Sequence, residues 1–554
     1  MTAMEQAVAL LGAGRFHEAV QLFGAALRDN PLAAEPRVGL SQACEGIGDT
    51  WAAAAWLSDA CRVAPQRPEL WLALTALLLK QRRDGEVEPL LQAALAIHPD
   101  HADVVQAQAD LYLRGKQYVK AVPAYARLNA LSPNDRATLL HYGYCLEHSG
   151  EVDQAIVRYR EALALDPDFL EAHVDIAGVL WRVGDFEGAL GHARKAAELG
   201  PDHAYAVRIL GTALFNLNRL DEAKVQLRKA LELAPEFALA ELDLAFALLL
   251  GGELEEGWRM YARRWRDGDR MKRPAFFRAE LEWKGPREQP LPGRRIAIYG
   301  EQGFGDVIQF IRYAPLMQKD GATVYAVIQP ELTTLIEGSM PGVLCLNSQR
   351  RIEADRHVAL MDLPMHYGTT LETIPAAVPY LQAPEDKVLQ WRERLEPWNG
   401  KFKIGIAWSG SPRQVNNLNR AMPLRELMAI SELPGVQCFS LQKAQAGELA
   451  ELQLPAGQLV DFTGEWHDFT DSAAMLPSLD LVITVDTAVA HLAGAMALPV
   501  WAMLAPNADW RWLLARGDSP WYPTMRLFRR EHGEDRAAQV ARVVQALQER
   551  LAKQ

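Results

Sequence analysis

Cysteine is scarce in this 554-residue chain: Cys44, Cys61, Cys145, Cys345 and Cys438 stand far apart, with no C-x-x-C spacing. That pattern excludes a disulfide framework and a zinc site. No run of about 18 uninterrupted apolar residues occurs, so no membrane-spanning helix is expected. The opening segment Met1–Gly14 is short, carries Glu5 and lacks a basic stretch, so it does not read as a secretory leader. Positive charge is also short: 58 Lys and Arg against 70 Asp and Glu leave a net charge of −12. That argues against a general nucleic-acid binder, while leaving room for a local basic groove. A cytoplasmic protein is the default expectation. Hydrophobic residues at 49% and charged residues at 23% describe a globular chain. At roughly 150 residues per domain it holds about three or four folding units.

What is abundant is periodicity. Prolines stand at 31, 65, 99, 133, 167, 201 and 235, a constant step of 34. Ala26, Ala60, Ala94, Ala162, Ala196 and Ala230 each precede one of them by five. Ala19, Ala53, Ala121, Ala155, Ala189 and Ala223 precede them by twelve, and Gly14, Gly48, Gly150, Gly184 and Gly252 keep the same phase. This is the pattern of tetratricopeptide repeats. Each unit is expected to be two helices, with the glycine region turning the first into the second and the proline ending the second. One unit cannot bury its apolar face alone, so about seven stack into a solenoid with a concave groove. Gly252–Arg266, with Trp258, Tyr261 and Trp265, is expected to cap the last repeat.

Tyr144, Trp181 and Phe215 occupy equivalent places in three successive repeats, followed one phase later by Arg114, His148, Arg182 and Asn216. Tyr144, Trp181, Arg182 and Phe215 are therefore candidates for a partner-binding groove that takes a peptide. The alternative is that the aromatics are core between repeats.

Pro274, Gly285, Pro286, Pro290, Pro292 and Gly293 mark residues 267–294 as a loop-rich linker. Beyond it, short apolar runs alternate with amphipathic stretches. Strands are expected at Arg295–Tyr299, Thr323–Ile328, Val343–Leu346, His357–Leu363, Lys403–Trp408, Gln437–Leu441, Leu479–Val485 and Pro499–Leu504. Helices are expected at Asp306–Lys319, Pro384–Leu395, Leu424–Ile430, Ser472–Leu476, Thr487–Met496 and Arg536–Ala552. Such alternation implies two small doubly wound α/β domains, 295–395 and 396–554, with a cleft between them.

The first strand runs into Gly300-Glu301-Gln302-Gly303-Phe304-Gly305-Asp306, whose glycines permit a tight turn with amides facing a ligand. Asp306 there is either a helix cap or a base. The second half repeats the design with Asp486-Thr487-Ala488-Val489-Ala490-His491 after a strand. A diphosphate at that helix start, or an ordinary cap with a surface histidine, both fit. Between them, Ser409-Gly410 leads into a loop with Arg413, Asn416, Asn417, Asn419 and Arg420, and Gln442-Lys443 follows another strand. Two arginines facing one cleft suit phosphate.

The runs GEQGFGDVIQFIRYAP, KIGIAWSGSP with NRAMPL, FSLQK, DLVITVDTAVAHLAGAMALPVWAML and SPWYPTMRLF resemble the heptosyltransferase-like bacterial glycosyltransferases (glycosyltransferase family nine). The closest resemblance is to the subgroup fused behind tetratricopeptide repeats. The resemblance implies a GT-B fold of two facing Rossmann-like domains, acceptor toward the first and nucleotide-sugar in the second. It implies Asp306 as catalytic base, with Asp486, Thr487 and His491 in the donor-binding run. Gly303, Gly305, Ser409, Arg420, Gln442 and Lys443 complete the expected donor site. Ala488 replaces the glycine of that run, and Arg420 falls where the group has a phosphate-facing lysine.

The implied reaction is sugar transfer to an acceptor hydroxyl, with no cofactor and no metal. The D-x-D runs Asp166-Pro167-Asp168 and Asp267-Gly268-Asp269 fall in a repeat turn and the linker. A repeat groove beside the cleft raises the local concentration of a protein acceptor, flagellin-type from the class. A glycan or lipopolysaccharide glycosyltransferase and an inactive repeat scaffold are the rival expectations. The asparagine ladder that grips peptide in eukaryotic O-GlcNAc transferase repeats is missing: its positions read Gly39, Ala73, Ala107, His141, Asp175, Ile209 and Asp243.

Overall fold

The computed structural model describes residues 2–268, 271–346, 353–411, 414, 416–443, 448–455 and 457–553. The chain divides into two compact units, 1–179 and 180–554.

In the first unit the helices come in pairs. Ala3–Gly12 pairs with Phe16–Asp29, Ala34–Ile47 with Thr50–Val63, and Pro68–Lys80 with Asp84–Ile97. Ala102–Arg114 with Tyr118–Leu131, then Arg136–Ser149 with Val152–Leu165, continue the series. The helix Leu170–Leu180 runs over the division. In the second unit come Phe186–Leu199, then the pair Ala204–Asn216 and Leu220–Leu233, then Ala238–Leu250 with Leu254–Tyr261. Each of the seven phased prolines stands two residues beyond the end of a second helix, where a missing N–H costs nothing. The alanines at 19, 53, 121, 155, 189 and 223 are fully buried, as close helix approach requires.

The turn inside each pair has one left-handed residue at a step of 34. Gly14, Gly48, Gly150, Gly184 and Gly252 have φ of 72°, 91°, 96°, 88° and 83°. Where glycine is missing, Arg82, Lys116 and Asn218 adopt the same conformation, at 57°, 54° and 60°. The geometry belongs to the repeat, and three L-residues carry its cost.

The segment expected as a cap is a further helix pair. Its second helix, Leu254–Tyr261, drives Trp258 into the core of the α/β region. There the indole stands edge-on to Trp510 at 5.2 Å and to Phe310 at 6.2 Å, and its Nε1 donates to the Thr369 carbonyl at 3.1 Å. The expected linker is also fastened. Trp283 is buried, and its N–H donates to the His357 carbonyl at 2.9 Å.

Two parallel sheets follow. The first consists of β1 (Arg295–Tyr299), β2 (Thr323–Val327), β3 (Val343–Cys345) and β4 (Arg356–Ala359), in the order β3-β2-β1-β4. The second consists of β5 (Phe402–Ala407), β6 (Val436–Ser440), β7 (Leu459–Val460), β8 (Leu481–Val485), β9 (Val500–Leu504) and β10 (Met525–Arg529). Its order is β10-β9-β8-β5-β6-β7. Numbered within the domain, that is 3-2-1-4-5-6, the doubly wound arrangement whose ligands gather where the order reverses, between β5 and β8.

Several expected boundaries change. The apolar run His357–Leu363 is a strand only to Ala359; Leu360–Asp362 and Leu363–His366 are helical, since a short buried apolar run does not distinguish the two states. Asp306–Lys319 breaks into Phe304–Phe310, Ile311–Tyr313 and Ala314–Lys319. The helix Glu385–Arg394, expected to close the first domain, is tied to the second: Lys387 bonds Asp471 at 2.6 Å and Arg394 pairs with Glu465.

Candidate functional site

A cavity of about 1230 Å³ opens between the two sheets, lined by residues from Gln302 to Arg511. The register of β5 against β8 pairs Ala407 with Thr484. Ser409 and Asp486 therefore leave the sheet side by side. Gln442 follows β6 and Asp509 follows β9. From the other sheet, the loop after β1 brings Gly303, Gly305 and Asp306 to the same space. Asp306, Gly303, Gly305, Ser409, Arg420, Gln442, Lys443, Asp486, Thr487 and His491 all line it.

Asp306 is both a cap and a cleft residue. It is the third residue of the helix Phe304–Phe310, and its Oδ2 accepts from the Gly303 N–H at 2.8 Å. Its Oδ1 accepts from Arg511. Burial raises its pKa, opposed by the Arg511 charge.

Arg511 and Asp509 escaped the sequence reading. Arg511 also bonds Asp509 at 2.8 Å and lies over the Trp510 ring at 4.1 Å. Burial works against its charge, but Asp509 and Asp306 more than offset that, and its pKa is raised.

Arg420 donates to the Asp486 carbonyl at 2.9 Å and to Asn417 Oδ1 at 3.2 Å. Lys443 donates to the Trp466 carbonyl at 2.7 Å. Among the described residues, both cations are bonded only to neutral acceptors. Gln442 Oε1 accepts the N–H groups of Trp408 and Ser409 at 3.0 and 2.7 Å, and so shapes that turn at the cavity wall. Arg413 lies outside the described residues, as does Asp269. Asn419 faces away from the cleft, donating to the Trp181 carbonyl at 3.1 Å.

The helix Ala488–Ala495 starts at the cavity with Thr487 as its N-cap, but no side-chain oxygen caps it. Thr487 Oγ1 pairs instead with Thr484 Oγ1 at 2.9 Å. Burial, then the charge of Asp509, pushes the Asp486 carboxyl up to about 6. His491 is not a surface histidine. It is buried, bonded through Nδ1 to the Tyr522 hydroxyl at 2.9 Å and stacked on Trp512 at 5.2 Å. Burial and the nearby Arg511 hold its pKa well below 6.5, so it faces the cleft neutral. Gly305 is a packing glycine: a Cβ there would lie 2.8 Å from His491 Cδ2 and 3.7 Å from Ala488 Cα. Its absence lets the helices Phe304–Phe310 and Ala488–Ala495 approach closely.

The cleft carries charge of both signs. Asp306, Glu331, Glu448, Asp468, Asp486 and Asp509 share the wall with Arg420, Lys443 and Arg511.

The four groove candidates separate. In the first unit, Tyr144 stacks on His148 at 4.0 Å and meets Tyr118 edge-on at 5.9 Å, with His148 exposed. In the second unit, Phe215 packs on the repeat core beside Leu227, Leu244 and Leu248. Trp181 and Arg182 form a half-buried turn, and the Trp181 carbonyl accepts from Asn419. Asn216 is buried and accepts from Asn507 at 3.0 Å. Asn216 is therefore committed inside the molecule, Phe215 packs on the repeat core, and Trp181 is tied to the α/β region through its backbone carbonyl. Of the missing-ladder positions, Asp243 is likewise engaged, by Arg208 at 2.7 Å and Thr212 at 2.8 Å.

Among known proteins, the chain is 27% identical over 314 residues to Protein FlbA of Caulobacter vibrioides, covering 51% of this chain and 50% of that one. It is 27% identical over 172 residues to Tetratricopeptide repeat protein 13 of Homo sapiens, covering 30% and 20%. The chain thus spans about half, or less, of the length of these curated relatives. YrrB, a TPR protein with an unusual peptide-binding site, aligns at 20% identity and a TM-score of 0.30, over 33% of this chain and 95% of that one. MamA from Desulfovibrio magneticus RS-1 aligns at 19% and 0.28, over 31% and 97%. The tetratricopeptide repeat model matches residues 4–68, 107–168, 146–204 and 174–225. The helical part of this chain is an array of tetratricopeptide repeats.

Proposed function

We propose that this protein is a GT-B glycosyltransferase that moves a sugar from a nucleotide-activated donor to a hydroxyl of a protein recruited by its repeats. One observation carries the reading. Arg420 and Lys443, bonded to neutral acceptors, face a cavity whose opposite lobe supplies the carboxylate of Asp306. The acceptor oxygen attacks the anomeric carbon, and the bond from that carbon to the phosphate oxygen breaks. The electron pair leaves with the nucleoside diphosphate, and the acceptor proton passes to Asp306. Arg420, Lys443 and the uncapped amides at Ala488 meet the charge that develops on the leaving group. Both oxygens of Asp306 are engaged in this structure, so Arg511 must turn toward the diphosphate before Asp306 takes a proton. Closure of the lobes keeps water from the donor.

The protein acceptor is supported by the surface rings Tyr118, Tyr144 and His148 in the first unit. The test is a panel of nucleotide-sugars with intact mass spectrometry of candidate acceptors, flagellin-type subunits among them. Wild type should add a sugar mass, and Asp306→Asn and Arg420→Gln should each lose at least about tenfold in rate. A wild type that binds none of the nucleotides, or an Asp306→Asn that transfers normally, overturns the reading. Deleting residues 1–132 separates acceptor classes: transfer to protein should fall while turnover of the donor persists.

A further inference from the structure

Among the described residues, none before Gln302 lines the cavity, yet the repeats reach two of its loops through a cluster of asparagines. Asn216, at the end of the helix Ala204–Asn216, accepts from Asn507 Nδ2 at 3.0 Å. The same Nδ2 donates to Asn416 Oδ1 at 3.2 Å, and Asn416 Nδ2 returns a bond to the Asn507 carbonyl at 3.1 Å. Asn419 donates to Asn416 Oδ1 at 2.9 Å and to the Trp181 carbonyl at 3.1 Å. Asn218 adds a bond to the Pro506 carbonyl at 2.9 Å. Asn216, Asn419 and Asn507 are each less than a tenth exposed.

Asn416 opens the short helix that ends in Arg420. Asn507 lies two residues before Asp509 and four before Arg511. The loops that carry both arginines of the cleft therefore meet at one amide, and that amide is held from behind by a repeat.

We propose that Asn216 and Asn507 form a strut through which the last repeats set the positions of Arg420 and Arg511. They are positioning residues for the site proposed above, and the inference rests on that reading only for its effect on ligand. An amide suits the role because Asn507 must donate to two acceptors while its own oxygen receives Asn416. An apolar replacement leaves buried donors and acceptors unpaired, so the loops shift to find new partners. No buried side-chain atom of Asn216, Asn416, Asn419 or Asn507 lacks a partner, although Asn218 Oδ1 does, and a satisfied buried network holds one arrangement.

The experiment is amide hydrogen exchange on the full chain, with inorganic pyrophosphate binding measured by calorimetry on the same samples. The variants are Asn216→Ala, Asn507→Ala and Asn216→Asp, with Leu227→Ala as a control that weakens the repeat core without touching the strut. In both alanine variants, exchange at 416–420 and 507–511 should rise at least about tenfold, and pyrophosphate affinity should fall about tenfold. Leu227→Ala should leave both unchanged, and Asn216→Asp, which keeps the acceptor oxygen, should restore part of the protection. Unchanged exchange at both loops in the alanine variants overturns the strut. Should Asn216→Ala not fold, Asn507→Ala alone decides. If exchange rises as expected but wild type binds no pyrophosphate, the strut stands and the reading of the cleft falls.

Discussion

Arg511 holds the carboxylate of Asp306 from across the cleft while its other nitrogen holds Asp509. The carboxylate proposed as base on one lobe is thus held by a cation on the other. Replacing Arg511 with Gln removes the charge that lowers the Asp306 pKa most, and burial is then opposed only by backbone hydrogen bonds. The protonated form gains, so the acid limb of the pH–rate profile should move to higher pH. Initial rates of donor turnover between pH 4 and about 9 check this; an unmoved limb separates Asp306 from the proton transfer.

Gly410 lies against Arg420. A Cβ at position 410 would overlap the guanidinium, which has bonds to Asp486 and Asn417 to lose. Gly410→Ala should weaken nucleoside diphosphate binding by about tenfold or more while leaving the fold intact, because only a side chain must move. Titration calorimetry against circular dichroism reads the two effects separately.

Gly150 tests the left-handed turn in isolation. It has φ of 96° and open space where a Cβ would go, so Gly150→Ala costs backbone strain and nothing else. The expected loss is about 1–2 kcal/mol. The reverse change at Lys116, Lys116→Gly, should cost nothing or stabilise by about 0.5 kcal/mol. Urea midpoints of the two variants decide.

Asp175, in the first unit, sits beside Glu147 and Glu171. Burial, then those two charges, raises its pKa to about 7. The folded chain therefore holds a proton there that the unfolded chain releases near pH 4. The raised folded value means that stability falls as pH rises from about 4 to about 7. Asp175→Asn should stabilise the repeats at pH 8, change little at about pH 4 and flatten the dependence between. Denaturation midpoints at several pH values measure it.

Half-buried Tyr144 stacks on exposed His148 in the first unit. Tyr144→Ala should raise the KM for a protein acceptor about tenfold, with donor turnover unchanged, since a truncated aromatic anchor costs more than 1 kcal/mol. Steady-state kinetics on the acceptor checks it.

The repeats were legible because one proline and one buried alanine recur in every unit, and periodicity survives any tertiary detail. Asp306, Asp486 and Thr487 were legible because each follows a glycine or strand signal at a carboxyl edge. Arg511 was not: the segment after β9 has no periodic pattern, and its meaning arises only when two lobes approach. Trp181 and Phe215 share the phase of Tyr144 but not its surroundings, for a related reason. Phase in a repeat tells which face a residue occupies, but not whether the same chain covers that face 200 residues later. Strand β10 (Met525–Arg529) escaped as well, since Arg526 and Arg529 break up its apolar residues.

Trp258, Arg264 and Asn216 root the last repeats in the sheets: Trp258 by burial, Arg264 by its ion pairs to Glu301 and Asp362, Asn216 by its bond to Asn507. The repeats of the first unit carry none of these three anchors. Whole 34-residue modules should be exchangeable there without disturbing the cleft.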